Sequence, residues 1–334
     1  MNERVAIVGT TTWGTTLGII LARSSVPVSI LARTPAEAAE LNSKRRNKRF
    51  LPNVPLPDAL EVSSDIQEVV TPAALVIIAV PSHRLRENTR CIRDSLSPSA
   101  TILSATKGLE LPQGKRMSQV LQEELPPQFH GSICALSGPN LAQEVVEGKL
   151  SSTVVAGPDS SKTERVQSAL MSRSFRVYTS SDVIGVELGG ALKNIIGLGA
   201  GIGDGMGAGA NSKSAFITRG LAEITRLGVA AGAQPLTFAG LAGLGDLIAT
   251  CTSTFSRNRY VGEQLARGRT WTEIQQSMDN VAEGVNATSA ALAMASRLNV
   301  EMPIAQVTYR VLFDGLSPKE AAAQLMERPA RSEW

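Results

Sequence analysis

The chain has 334 residues, 43% hydrophobic and 19% charged, with a formal net charge of +3. That is ordinary for a globular protein of about two domains and too little charge for a general nucleic-acid binder. Three widely spaced cysteines (Cys91, Cys134 and Cys251) form neither a disulfide framework nor a metal-ligand pattern, which suits a reducing compartment and predicts no metal site. The only histidines are His83 and His130, so acid–base chemistry is expected elsewhere. The opening "MNERVAIVG" runs straight into a strand with no signal-peptide h-region, and no uninterrupted apolar run approaches the ~20 residues of a membrane span. A cytoplasmic protein with no membrane or nucleic-acid partner is expected.

The first elements read as strand, turn and helix. "RVAIVG" is a buried strand, and Gly9 and Gly14 in "VAIVGTTTWGTTLGIILA" match the outer glycines of the dinucleotide fingerprint G-x-G-x-x-G, with Thr11 in the middle. In such a turn the first glycine permits the tight bend, the second admits a pyrophosphate, and the third lets helix and strand approach. Thr11 is expected to push phosphates outward or to offer them its hydroxyl. The helix N-terminus near Gly14 presents free N–H groups and a positive dipole end to an anion. A structural turn in another α/β protein is the alternative.

The next strand, "VPVSILA", ends at Arg33 with no acid where NAD-binding folds carry Asp or Glu for the ribose hydroxyls. A guanidinium suits a 2′-phosphate, so NADPH/NADP is the predicted cofactor and NADH/NAD the second choice; a solvated arginine is the alternative. "TPAEAAELNSKRRN" then reads as a helix. Its basic run "SKRRNKRF", Ser43 to Phe50, is solvated surface, a cofactor-phosphate contact or a nucleic-acid patch. "ALVIIAV", "ATILSAT", "SICALSG", "STVVAG" and "FRVYTS" continue the strands, with "SKTERVQSALM" a helix among them. This alternation predicts a mostly parallel, doubly wound sheet. Ligands of such sheets bind beyond the carboxyl ends of the strands. Pro81 and Ser82 follow one strand there, and Lys107 and Gly108 another.

After Asp182 the chain turns Ala-, Leu- and Gly-rich at helical spacing. The fold class is therefore α/β: an N-terminal Rossmann-like doubly wound sheet, residues 1–182, followed by an all-helical C-terminal domain, 183–334. In "GVELGGALKNIIGLGAG", Lys193 shares a helix face with Gly189, Gly190 and Gly197. Helical glycines cost ~1 kcal/mol each relative to Ala, so the cluster asks for close helix packing or for ligand access. A partly desolvated lysine there has its pKa lowered toward the acid–base range; a lysine snorkelling from a packed helix is the bland alternative. Asp246 and Thr250 are spaced to share one helix face, and Ser256, Arg257 and Asn258 offer donors suited to a phosphate. Near the end, Ser317, Pro318 and Glu320 spell a capping box with proline at the first helical position.

Taken together, "WGTTL", "VPSHRLRE", "SATKGLE", "SGPNLAQEV", "ELGGALKNIIGLGAGIGDGMGAGANSKSAFITRGLAEITRLG", "TFAGLAGLGDLIATC", "SRNRYVG" and "VAEGVNA" resemble the bacterial-type NAD(P)-dependent glycerol-3-phosphate dehydrogenase family across nearly the whole chain. The resemblance implies a cofactor site of Gly9, Thr11, Thr12, Trp13, Gly14, Arg33, Phe50, Pro81, Lys107, Ala142, Arg257, Val281 and Glu283. It implies Gly138, Asn140, Ser256, Arg257 and Asn258 at the substrate, with Lys107, Lys193 and Asp246. Lys193 is then the proton donor and acceptor, in a cluster with Lys107, Asp246, Asn194 and Thr250, where Asp246 and Asn194 orient it.

Three positions depart from the family pattern. Thr11 replaces the middle glycine, Asn140 stands where Ser or Thr is usual, and Phe50 replaces a Tyr. The implied reaction is reduction of dihydroxyacetone phosphate to sn-glycerol 3-phosphate, in a homodimer that supplies the phospholipid backbone. The rivals are a related β-hydroxyacid dehydrogenase and a non-catalytic NADP(H)-sensing protein.

Overall fold

The structure, a computed structural model, describes residues 3–278, 282–330 and 332–333. In chain order, β1 (Val5–Val8) leads through α1 (Thr12–Arg23) to β2 (Val28–Leu31) and α2 (Pro35–Lys44). A small ribbon of β3 (Arg46–Asn47) and β4 (Leu51–Pro55) precedes β5 (Leu60–Ser63), α3 (Ile66–Val70), β6 (Leu75–Ile78), α4 (Leu85–Ile92) and β7 (Thr101–Ser104). A second ribbon, β8 (Leu109–Glu110) and β9 (Lys115–Arg116), is followed by α5 (Met117–Glu124) and β10 (Ile133–Ser137). Then come α6 (Ala142–Val146), β11 (Ser151–Ala156), α7 (Ser160–Leu170) and β12 (Phe175–Ser180).

The main sheet runs β12-β11-β10-β7-β6-β1-β2-β5. From β5 to β10 all neighbours are parallel, in the strand order of a Rossmann fold, with the order reversing between β1 and β6; β11 is antiparallel to β10. All seven predicted strands are present. The short β5 was not anticipated: only Leu60 and Val62 of it carry the apolar pattern. Successive β1 residues feed opposite cores, Val5 and Ile7 on one face and Ala6 and Val8 on the other. Both faces are covered, which is why β1 and β6 are uninterrupted apolar runs.

No strand follows Ser180 among the described residues. The remainder is α8 (Val183–Gly205), α9 (Ala210–Ala230), α10 (Pro235–Ala239), α11 (Asp246–Thr252), α12 (Arg257–Ala266), α13 (Trp271–Gln276), α14 (Glu283–Leu298), α15 (Pro303–Phe313) and α16 (Pro318–Met326). Asp182 caps α8 by accepting from the Gly185 N–H at 2.9 Å. The capping box at Ser317 and Glu320 forms as the spacing predicts. By length and composition α8 could cross a membrane, but 78% of its apolar window is buried inside the protein, as the central rod of the helical core.

The predicted helix in "TPAEAAELNSKRRN" stops early. Thr34 caps α2 and Pro35 opens it, but Arg45 takes a left-handed backbone (φ 44°) after Lys44. Its guanidinium binds the carbonyls of Pro57 and Leu60, which turns the chain into the ribbon.

Candidate active site

The glycine turn keeps its outer roles. Gly9 has φ 110°, and a Cβ there would lie 2.8 Å from the Ala79 carbonyl; a Cβ on Gly14 would lie 2.2 Å from the Gly9 carbonyl. The Thr11 hydroxyl accepts from the Gly14 N–H at 3.1 Å and donates to the Ala79 carbonyl at 2.7 Å. Its single proton is therefore committed to the residue that follows β6, and the expectation that it donates to a phosphate is not met. It caps α1 instead. The first turn of α1, with Thr12 and Trp13, has no acidic residue and no carbonyl one turn back for its first N–H groups, so the positive end stays open to an anion. Trp13 packs on Phe175, and its indole N–H is buried without a partner.

The basic run is divided by the fold. Asn47 is buried, and its amide donates to the Thr10 carbonyl and the Thr15 hydroxyl, both at 2.8 Å, clamping the ribbon onto the glycine turn. Arg46, Lys48 and Arg49 stay exposed, with the Arg49 guanidinium 5.0 Å from the centre of the Phe50 ring. Arg33 is exposed at the end of β2.

Lys107, three residues beyond β7, reaches across to the helices. Its Nζ donates to the Gly138 carbonyl at 2.9 Å and to Asp246 Oδ2 at 2.7 Å. Lys193, on α8 and 8% exposed, donates from Nζ to Asp246 Oδ1 and, at 2.7 Å, to the Thr250 hydroxyl. Asp246 and Thr250 thus share one face of α11 as their spacing predicts. Burial, opposed by the Asp246 carboxylate and aided by repulsion from Lys107, lowers the pKa of the Lys193 ammonium to about 8.

The glycines of α8 pack rather than leave a gap. A Cβ on Gly189 would lie 2.5 Å from the Ala242 carbonyl, on Gly190 2.3 Å from Ser137 Oγ, and on Gly197 2.7 Å from Thr250 Cγ2. Of the two readings the cluster allows, close packing holds: neighbouring backbone and side chains fill the space that ligand access would need. What sits on Gly189 is a single π-turn, Leu241–Gly245, that delivers Asp246 to Lys193. Such turns recur at functional sites.

Two further expectations change. Asn194 does not orient Lys193. It accepts from Asn258 Nδ2 at 2.8 Å, and Asn258 Oδ1 accepts from the Gly284 N–H at 3.0 Å, tying α8, α12 and α14 together. Asn140 turns away to β11, its amide donating to the Ser152 carbonyl at 3.0 Å and accepting from the Thr153 hydroxyl at 2.9 Å. Ser256 caps α12, accepting from the Arg259 N–H at 3.3 Å, so the N–H groups of Arg257 and Asn258 open that helix, which has no acid in its first turn. The Arg257 side chain is exposed and makes no hydrogen bond or ion pair among the described residues. Glu283, first residue of α14, accepts from the Ser82 N–H at 3.0 Å and the Ser82 hydroxyl at 2.6 Å, beside Pro81. Ala142 opens α6, and Val281 lies outside the described residues. No cluster of metal-ligating side chains occurs among the described residues.

Sequence reasoning missed Ser82 as a partner of Glu283, Asn47 as the clamp, and Glu37, whose carboxylate lies at the end of β2. Ser82 and Asn47 act on residues distant in sequence, which no local motif marks; Glu37 carries only the capping-box spacing from Thr34, which does not point to Thr10.

A Rossmann-like sheet whose carboxyl edge is closed by a helical domain, with lysines from both on one carboxylate, defines a two-domain protein of the dinucleotide-binding class. Residues 4–163 match the family profile described as NAD-dependent glycerol-3-phosphate dehydrogenase N-terminus, and residues 182–323 its C-terminus. The glycerol-3-phosphate dehydrogenase [NAD(P)+] of Dehalococcoides mccartyi strain BAV1 is 49% identical over 332 residues, covering 99% of this chain and 92% of that protein. That of Chlorobium limicola is 45% identical, covering 98% and 99%. The crystal structure of glycerol-3-phosphate dehydrogenase from Coxiella burnetii superposes with a TM-score of 0.92 at 34% identity, over 98% of this chain and 99% of that one. The chain belongs to the NAD-dependent glycerol-3-phosphate dehydrogenase family.

Proposed function

We propose that the chain catalyses the reversible NAD(P)H-dependent reduction of dihydroxyacetone phosphate to sn-glycerol 3-phosphate. Family membership supports the reaction, and one observation carries its assignment to residues: the buried Lys193 amine, held by Asp246 and Thr250 with Lys107 on the same carboxylate. The cofactor's residues fit a dinucleotide. Gly9 leaves a cradle that a Cβ would fill, the first turn of α1 (Thr12, Trp13) is open to a pyrophosphate, and Trp13 has an unpartnered buried donor. Arg33, Phe50, Pro81, Ala142 and Glu283 complete the site. When bound, the nicotinamide cofactor supplies the hydride; the protein supplies position and charge.

The substrate phosphate lies at the N-terminus of α12, against Arg257 and its N–H neighbours. Lys107 draws charge onto the carbonyl oxygen. Lys193 gives that oxygen a proton as the carbon is reduced, and is reprotonated from solvent. Asn258 and Asn194 set the phosphate helix against α8, and Gly138 holds Lys107 through its carbonyl. The residue ranges 1–182 and 183–334 serve as cofactor and substrate domains. A cytoplasmic homodimer supplying a phospholipid precursor completes the reading.

NADPH absorbance followed with dihydroxyacetone phosphate tests it. Consumption that depends on this substrate is expected. Consumption only with a 2-keto or 3-keto acid transfers the chain to the β-hydroxyacid group, and binding without turnover makes it a sensor.

A further inference from the structure

β2 ends without an acid of its own, yet a carboxylate stands at its end. Glu37, in the first turn of α2, reaches back so that Oε1 accepts the Thr10 hydroxyl at 2.6 Å and Oε2 accepts the Arg33 backbone N–H at 3.0 Å. Thr10 follows Gly9 beyond β1, and Arg33 lies just beyond β2. The carboxylate therefore bridges the carboxyl ends of both strands, beside the glycine turn. In dinucleotide-binding folds an acid at this place accepts the adenosine ribose hydroxyls, and β2 ordinarily supplies it. Here α2 supplies it, four residues later than the pattern looks for.

Glu37 is not spent as a simple cap. A capping-box acid returns to the N–H of the cap residue itself, here Thr34. Glu37 passes that group and binds one residue earlier, while its own N–H is the one Thr34 caps. It is half-buried, and a carboxylate with two hydrogen bonds keeps acceptor capacity for two more. The Arg33 side chain has no hydrogen bond or ion pair among the described residues. One edge of the crevice thus carries a free cation suited to a 2′-phosphate and an anion suited to hydroxyls.

We propose that Glu37 is a specificity-determining residue, which accepts the adenosine ribose hydroxyls of NAD(H) and opposes the 2′-phosphate of NADP(H), with Arg33 acting in the opposite sense. The proposal rests on the dinucleotide reading above and specifies how the two cofactors are told apart. It makes NAD(H) a working cofactor of this chain despite the arginine at the end of β2.

The test is calorimetric titration of the full chain with NAD+ and NADP+, and with 5′-AMP and 2′-AMP as fragments, so that the readout is binding. Glu37→Gln keeps the size and an oxygen for Thr10 but removes the charge. It is expected to raise the ratio of NADP+ to NAD+ affinity by about tenfold or more, with 2′-AMP gaining on 5′-AMP in parallel. Arg33→Ala is expected to move the ratio the other way. Should Glu37→Gln fail to fold by circular dichroism, Glu37→Asp replaces it: the shorter acid keeps the charge but loses the reach, so NAD+ weakens more than NADP+. An unchanged ratio in the folded variant overturns the proposal. A shifted ratio in a chain that never reduces dihydroxyacetone phosphate sinks the proposed reaction and keeps this assignment; an unchanged ratio with normal turnover does the reverse.

Discussion

Lys107 and Lys193 come to opposite oxygens of the Asp246 carboxylate, Lys107 from beyond the end of a sheet strand and Lys193 from the central helix of the other domain. Asp246 is 2% exposed, so it holds two ammonium groups together where water screens them little. Asp246→Asn leaves these cations facing one another without a counter-charge. The variant is expected to lose about 10²-fold or more in kcat with a smaller change in KM, and Lys193 should titrate at a lower pH than before. Steady-state kinetics across pH check both. An unchanged titration would mean that Asp246 does not set the charge state of the amine.

The direction of the pH profile follows from Lys193 itself. Its pKa is lowered to about 8, burial being the largest cause. In the proposed reaction carbonyl reduction needs the ammonium form, so kcat in that direction should fall as pH rises through about 8, while alcohol oxidation should climb over the same range. Lys193→Ala should lose orders of magnitude in both directions and lose the inflection. Inflections that persist in the alanine variant would assign the proton to another group.

Much of the fold was legible because the sheet is buried on both faces, which makes strands such as "RVAIVG" and "ALVIIAV" unbroken apolar runs. β5 was not, since Glu61 sits in its middle and leaves only Leu60 and Val62 as signal. Lys193, Asp246 and Thr250 were legible because helical spacing puts the last two on one face. Distant partnerships were not. Whether Asn194 turns to Lys193 or to Asn258 depends on how α12 docks, and whether Thr11 faces a ligand or Ala79 depends on the end of β6. The strand itself carries no acid at the end of β2, and only the fold shows that the Glu37 carboxylate reaches that place from the next helix.

Thr11 illustrates how a departure from a motif is absorbed. Its hydroxyl accepts the Gly14 N–H and donates to Ala79, so it holds the first turn of α1 against β6. Thr11→Gly restores the middle glycine and removes both bonds. The expected result is a loss of about 1 kcal/mol in stability by denaturant titration. Thr11→Ser should retain most of it. Equal stability of the glycine and wild-type chains would show that the cap contributes nothing.

Gly189 links helix packing to the site. A Cβ there would lie 2.5 Å from the Ala242 carbonyl, within the π-turn that delivers Asp246. Gly189→Ala must push that turn away, and overpacking of this kind costs about 1–3 kcal/mol. Both Tm and kcat should fall. Gly131→Ala, where a Cβ would meet nothing within 4 Å, is the control expected to leave both unchanged. A Gly189→Ala chain with lowered Tm and full kcat would separate the turn from the position of Asp246.

Glu223 predicts an effect on stability away from the site. It is 1% exposed on α9, and its two oxygens accept the N–H groups of Ile304 and Ala305, each at 2.9 Å, at the start of α15. Burial raises its pKa from 4.5 to about 7, and the two N–H bonds oppose that rise without cancelling it. Because the folded-state value is the higher one, the native chain holds a proton that the unfolded chain releases between these limits. This contribution to stability is complete below about 4.5 and is lost as pH rises toward 7, a swing on the order of 3 kcal/mol. Glu223→Gln cannot titrate. Its stability relative to the wild type should therefore improve steadily from pH 4.5 to 7, read as the difference between two denaturant titrations at each pH. A constant difference would mean that Glu223 keeps its ordinary acidity and that α15 is capped by a carboxylate throughout.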